Sequence, residues 1–233
     1  GYDHGDYNVA TNYVKGNNSY TVFAGANYSH VDGTETWNNE NYQFPQSLFD
    51  RESYSKNSYR NHQKYMQFRY QNQKGKRYWV GKFTLLNLST PRNASSGFAR
   101  ESTETDIFSN IRKKSLSPKI DLNANLPLSK NQTLTLGVHG KYSANSYHRL
   151  YQEQPFEAMT DEDENALSFQ LSAIYNYFSQ KHSLSVELFH YHDVWNADYS
   201  GNCELWQHLW KGESLAFFSY NFQASRRLSL KTR

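Results

Sequence analysis

Three tryptophans, Trp195, Trp206 and Trp210, fall in one polar stretch, and Trp37 and Tyr42 fall in another. Aromatic faces of this kind stack on sugars and grip peptides, so these five residues are the candidate ligand-binding groups. Their alternative role is packing within folded outer loops. His190 and His192 lie two apart, with Asp193 beside them. On a strand both imidazoles face one way, and a metal would need a third ligand from elsewhere. A place on the rim of a membrane accounts for them more simply. The run Asp161, Glu162, Asp163, Glu164 offers carboxylates to Ca²⁺, but its spacing matches no calcium loop, which favours a solvated outer loop. Arg69, Lys82, Lys119, Asp121, Lys141 and Glu187 carry both signs and would line a polar wall. No nucleophile elbow, phosphate loop or defined carboxylate pair is present. The expectation is therefore no enzyme, no metal and no cofactor.

The elements that carry these residues are segments of about ten residues with apolar groups at every second position. The clearest places Leu134, Leu136, Val138, Gly140, Tyr142 and Ala144 on one face and Thr135, Gly137, His139, Lys141 and Ser143 on the other. Similar segments begin near residues 6, 20, 66, 79, 119, 168, 184 and 216, and Leu228–Arg233 reads as a tenth, cut short. Short turns follow the odd-numbered strands, at Gly16–Asn18, Gln73–Lys76, Ser129–Gln132, Ser179–His182 and Ala224–Arg227. Long loops are expected after the even ones, from Asp32 to His62 and over about 88–116, 148–166 and 194–212. Soluble strands run to about 5–6 residues. Strands nearer ten, with short turns on one side and long loops on the other, fit an antiparallel transmembrane β-barrel. The expected lipid-facing residues include Phe68, Phe83, Leu136, Phe169, Leu171, Val186 and Phe218. Tyr13, Tyr20, Tyr70, Trp79, Tyr177 and Phe222 gather beside the short turns, where an interfacial girdle belongs.

Composition agrees. Of 233 residues only 37% are hydrophobic, yet 16% are aromatic and 19 are Tyr, and the mean hydropathy is −0.90. Few aliphatics with many Tyr suit a polar lumen and aromatic girdles; a disordered chain would be poor in aromatics. The net charge of +3 is scattered. The densest basic run, Arg112-Lys113-Lys114, is too short to argue nucleic acid, so no nucleic-acid partner is expected. The single Cys203 excludes a disulfide within the chain.

The strand-turn-strand runs Ile120–Tyr142 (IDLNANLPLSKNQTLTLGVHGKY) and Leu215–Leu230 (LAFFSYNFQASRRLSL) resemble the barrel of TonB-dependent receptor-like proteins of the Bacteroidota type. The resemblance covers nearly the whole chain through its rhythm, not through a catalytic signature. It implies a large barrel of about 22 strands with an N-terminal plug, residence in the Gram-negative outer membrane, and uptake of a ligand. As partners it implies outer-membrane lipid, the TonB complex and a surface lipoprotein. Residues 1–233 would be a barrel segment incomplete at both ends and without a plug. Two other roles fit the same pattern less well: a small stand-alone barrel serving as an adhesin or structural protein, and a secreted soluble β-domain that binds glycans.

Overall fold

The computed structural model describes residues 2–44, 47–100, 104–225 and 228–232. They form one sheet of ten antiparallel strands in chain order. The strands are β1 (Tyr2–Lys15), β2 (Asn18–Phe44), β3 (Ser47–Lys74), β4 (Arg77–Arg100), β5 (Glu104–Ser129), β6 (Gln132–Glu153), β7 (Phe156–Phe178), β8 (His182–Gly201), β9 (Leu205–Ser225) and β10 (Leu228–Thr232). The expected short turns appear at 16–17, 75–76, 130–131 and 179–181; residues 226–227 lie outside those described. Gly16 and Gly75 sit at φ +59° and +61°. That left-handed backbone costs a residue with a Cβ about 1–2 kcal/mol, and it gives tight hairpins a twist that matches their strands.

The expected long loops are a correction. The stretches 32–62, 88–116, 148–166 and 194–212 continue as paired strands nearly to the hairpin tips. Each even strand thus meets its successor in a β-hairpin that projects well past the apolar zone. Alternation of hydrophobicity disappears there because both faces are polar, yet Thr, Tyr, Ser and Asn still pair well along a ladder. The interruptions are local: the β2–β3 register slips at Gly33 (φ +77°) and the β3–β4 register slips beside Pro91, as expected at a β-bulge and at a residue with no N–H to donate.

Residues directly opposite in the ladder share a face, so the register defines two faces across the whole sheet. The outer one carries Val22, Phe68, Phe83, Ile120, Gly140 and Phe169 in a single row. The inner one carries Thr21, Arg69, Lys82, Asp121, His139 and Gln170 in the next. The sheet curls toward the inner side: from Asn61 to Phe68 the inner residues of β3 are half-buried and the outer ones exposed. The expected lipid-facing residues all fall on the outer face.

Among the described residues only Gly137 and four alanines, Ala94, Ala99, Ala124 and Ala197, are buried. The large apolar groups lie uncovered, including Val22, Met66, Phe68, Phe83, Ile120, Leu122, Leu171 and Phe218 on the outer face. A single layer with its greasy side open has no core of its own, so the surroundings must supply the apolar phase.

The girdle fixes the strand tilt. Tyr13, Tyr20 and Tyr70 share a row, with ring centroids 6.1 and 5.1 Å apart. Followed across the ladder from Tyr70, that row reaches β9 at Ser214, whereas the aromatic end of β9 lies at Phe222. The belt has slipped from 214 to 222 over the six steps from β3 to β9. With about 3.4 Å per residue and about 4.8 Å per step, the strands lean by roughly 40–45°. Closed barrels tilt by about 35–45°.

Candidate functional site

Above the apolar belt, on the side of the long hairpins, the inner face of β5–β8 carries a polar and aromatic wall. Its lower row is Ser115, Asn145, Glu164 and Ala197, and the next is Lys113, Tyr147, Glu162 and Tyr199. Ser115 donates to Asn145 (2.7 Å), whose amide donates to Glu164 (2.9 Å). The indole N–H of Trp195 donates to the other oxygen of Glu164. The Lys113 ammonium lies 5.3 Å from the centre of the Tyr147 ring, close enough for a cation–π contact. Together Lys113, Ser115, Asn145, Tyr147, Glu162 and Glu164 line a recess of about 270 Å³. Burial and then the charge of Glu162 raise the Tyr199 phenol above its ordinary value, so it remains a neutral donor. One row higher, Arg149 lies over Tyr151 at 5.7 Å, and the Tyr151 hydroxyl donates to Glu153 (2.5 Å). The wall thus offers a fixed indole, several phenols, three carboxylates and two cations, a set suited to a polyhydroxylated or mixed-charge solute.

The structure separates the five aromatic candidates. Trp195 belongs to this wall, and Tyr42 shares the inner face near the tip of β2. Trp37 lies on the outer face, packed on Tyr54 (4.5 Å) and Phe98 (6.1 Å). Trp206 and Trp210 are also outward, stacked against His208 and facing His192 at 6.0 and 6.5 Å. Asn145 and Tyr199 are absent from the sequence-based candidates, and Glu164 entered them only as one carboxylate of the acidic run. Glu164 lay hidden in an acidic run that only the register divides, with Asp161 and Asp163 outward and Glu162 and Glu164 inward. His190 and His192 share the outer face with rings 6.4 Å apart, while Asp193 points inward. His190 is hydrogen-bonded to Ser214 at 2.9 Å. No three potential metal ligands converge among the described residues.

Below the wall, the expected lumen-side charges all project inward. Asp121 accepts from His139 (2.9 Å) and pairs with Lys119 (3.4 Å), opposite Lys82. Some inner positions are apolar: Val80, Ile174, Phe189, Leu215 and Phe217 interrupt the polar surface, with Phe189 edge-on to Phe217 at 6.1 Å.

No family model matches the chain, and no curated protein does. Solved structures do. The ferric yersiniabactin uptake receptor FyuA from Yersinia pestis matches over 96% of this chain and 42% of its own, with 7% identity and a TM-score of 0.50. The ferric citrate transporter FecA matches over 98% and 38%, with 9% identity and a TM-score of 0.48. BauA, the ferric preacinetobactin receptor from Acinetobacter baumannii, matches over 99% and 39%, with 11% identity and a TM-score of 0.39. The first of these matches shows the fold: an all-β antiparallel meander laid out as in an outer-membrane receptor barrel, of which this chain spans about two-fifths of the length.

Proposed function

We propose that the chain is the barrel wall of a TonB-dependent outer-membrane receptor, of the kind its strand-turn rhythm resembles, and that the parent protein takes up a ligand across the outer membrane. The observation that carries this reading is the leaning apolar belt on a sheet with no core. Lipid covers the belt, and the polar inner face lines a lumen. The short turns then lie on the periplasmic side and the long hairpins outside the cell. The wall around Trp195 and Glu164 is a point where an arriving solute meets the barrel. Energy for uptake comes through the TonB complex, and a surface lipoprotein is a fitting partner for the projecting hairpins.

Fractionation of cells that make the parent protein, followed by growth of a deletion strain on single iron, copper and polysaccharide sources, tests this. The expected result is outer-membrane residence and a growth defect on one source, matched by loss of TonB and reproduced in part by Trp195→Ala. Recovery in the soluble fraction supports the soluble glycan-binding domain instead. Outer-membrane residence with a defect independent of TonB, or with none on any source, supports the stand-alone barrel.

A further inference from the structure

Immediately above the apolar belt, the outer face of β2–β6 turns basic. In one row of the ladder stand His30, Arg60 and Arg92; Arg112 lies opposite the Pro91–Arg92 bulge, and His148 lies opposite Arg112. The rows just below add His62 and Lys114, both opposite Ser89, and Lys64, opposite Ala26 and Asn87. Lys64 follows Met66 and Phe68 on the same face, so the band begins where the belt ends. Its arginines, lysines and histidines are exposed or half-exposed.

The acids on these rows are Asp3, opposite His30, Asp161, opposite His148, and Asp163 and Asp198, opposite each other, all at the flanks, with Asp32 on β2 just above. Asp32 is hydrogen-bonded to His30 (2.5 Å) and lies 3.6 Å from Arg60. Asp161 is paired with His148. Asp163 edges a groove of about 640 Å³ that is also lined by Asn87, Ser89, Lys114, Ser146 and Asn165. Lys64, Arg112 and Lys114 form no ion pair among the described residues. On the inner face at this height the signs are mixed, with Lys113 and Arg149 facing Glu162 and Glu164. On these rows the outer face of β2–β6 carries Lys64, Arg60, Arg92, Arg112 and Lys114 against Asp32.

We propose that this band binds the phosphate groups of the glycolipid headgroups in the membrane leaflet around the long-hairpin side. This rests on the outer-membrane reading above. Cations on neighbouring strands just beyond an apolar belt match anionic headgroups whose acyl chains cover that belt. A soluble anion would have no reason to be met on the face turned away from the lumen. Guanidinium groups suit phosphate because their paired donors fit its oxygens, and each basic residue near an anionic surface adds to the attraction. The groove beside Lys114 has room for one sugar phosphate, with Asn87, Ser89 and Asn165 as neutral hydrogen-bonding groups.

The test uses the full-length parent protein purified from membranes in detergent. Lipid A retained per protein is measured by mass spectrometry, together with rebinding of bisphosphorylated lipid A, dephosphorylated lipid A and inorganic phosphate. The outer variant is Arg60→Gln/Arg92→Gln/Arg112→Gln/Lys114→Gln, and the inner comparison is Lys82→Gln/Lys119→Gln/Lys141→Gln. The outer variant should retain lipid A at least about tenfold less well, and the inner one should stay within about twofold of the unchanged protein. Heat-modifiable migration reports folding. If the outer variant misfolds, Arg60→Lys/Arg92→Lys/Arg112→Lys keeps the charge and should keep the lipid. Equal retention by the outer variant overturns the proposal, as does inorganic phosphate bound as tightly as lipid A. Recovery of the parent outside the membrane overturns the outer-membrane reading itself, an outcome separate from either.

Discussion

Arginine placed along β6 should report depth in the bilayer. The outer-face apolar run on this strand extends from Leu134 to Tyr142, with Val138 at its centre. With the strand leaning by roughly 40–45°, the four residues from Leu134 to Val138 span about 10 Å of height. Arginine at the midplane of a barrel's lipid face costs about 2–4 kcal/mol and near the interfaces about 0–1. Val138→Arg should therefore lower the folded-to-unfolded ratio in vesicles by about 30- to 900-fold. Leu134→Arg and Tyr142→Arg should each cost no more than about half of that free energy. His139→Arg places the same side chain one residue further on but facing the lumen, where Asp121 lies 2.9 Å from the present imidazole. It should be nearly neutral. The assay is equilibrium urea unfolding of the full-length protein in phospholipid vesicles, followed by tryptophan fluorescence and heat-modifiable migration. A flat profile across Leu134, Val138 and Tyr142, or a cost for His139→Arg equal to that of Val138→Arg, would refute both the face assignment and the belt.

Cys203, exposed at the tip of the β8–β9 hairpin, should react with an impermeant maleimide on intact cells; labelling only after permeabilisation inverts the topology. Surface proteolysis should cut near 153–156 or 201–205, at the hairpin tips rather than along their paired stems. Gly75→Ala meets open space, since no atom lies within 4 Å of the added Cβ, so its cost should be the left-handed backbone alone, about 1–2 kcal/mol by urea titration. Burial pushes the Asp32 carboxyl up, but its hydrogen bond with His30 and the charges of His30, Arg60 and Arg92 prevail and hold it below the ordinary value. A depressed carboxylate adds stability that is present above the unfolded pKa and lost as pH falls through the folded one. Asp32→Asn should accordingly flatten the acid limb of stability against pH, and an unchanged limb would show that the cluster does not form.

The lower half of each strand was legible in the sequence because one face is apolar and the other polar, which imposes a two-residue rhythm. Even the exceptions, Val80 and Ile174, hold to their inner-face positions. The projecting halves were not legible as strands. Once both sides are wet, residues such as Thr34, Ser55, Asn57 and Ser109 carry no facial contrast, and only the pairing partner shows that they lie in a ladder. The same loss of contrast hid the candidate wall. Trp195 stood out by type, but its partner Glu164 lies in an acidic run whose members separate only when Asn145 is set opposite Glu164 and Ser146 opposite Asp163. Trp206 and Trp210 were grouped with Trp195 by closeness in sequence. Parity on β8 and β9 turns the first two outward and Trp195 inward.

The lean of the strands also sets how much perimeter each one supplies. At roughly 40–45°, a strand spaced about 4.8 Å from its neighbour takes up about 6.5 Å of circumference. The ten strands amount to an arc of about 65 Å, which rolled up by itself would give a backbone diameter of about 21 Å. The inner face carries Arg69, Lys82, Tyr191, Phe189 and Phe217 at successive heights, and side chains of that length reaching in from opposite walls would fill such a bore. In a ring of about 22 strands the same arc bends far less, and the diameter grows to about 45 Å. In such a ring these long groups would line an open space instead of filling it.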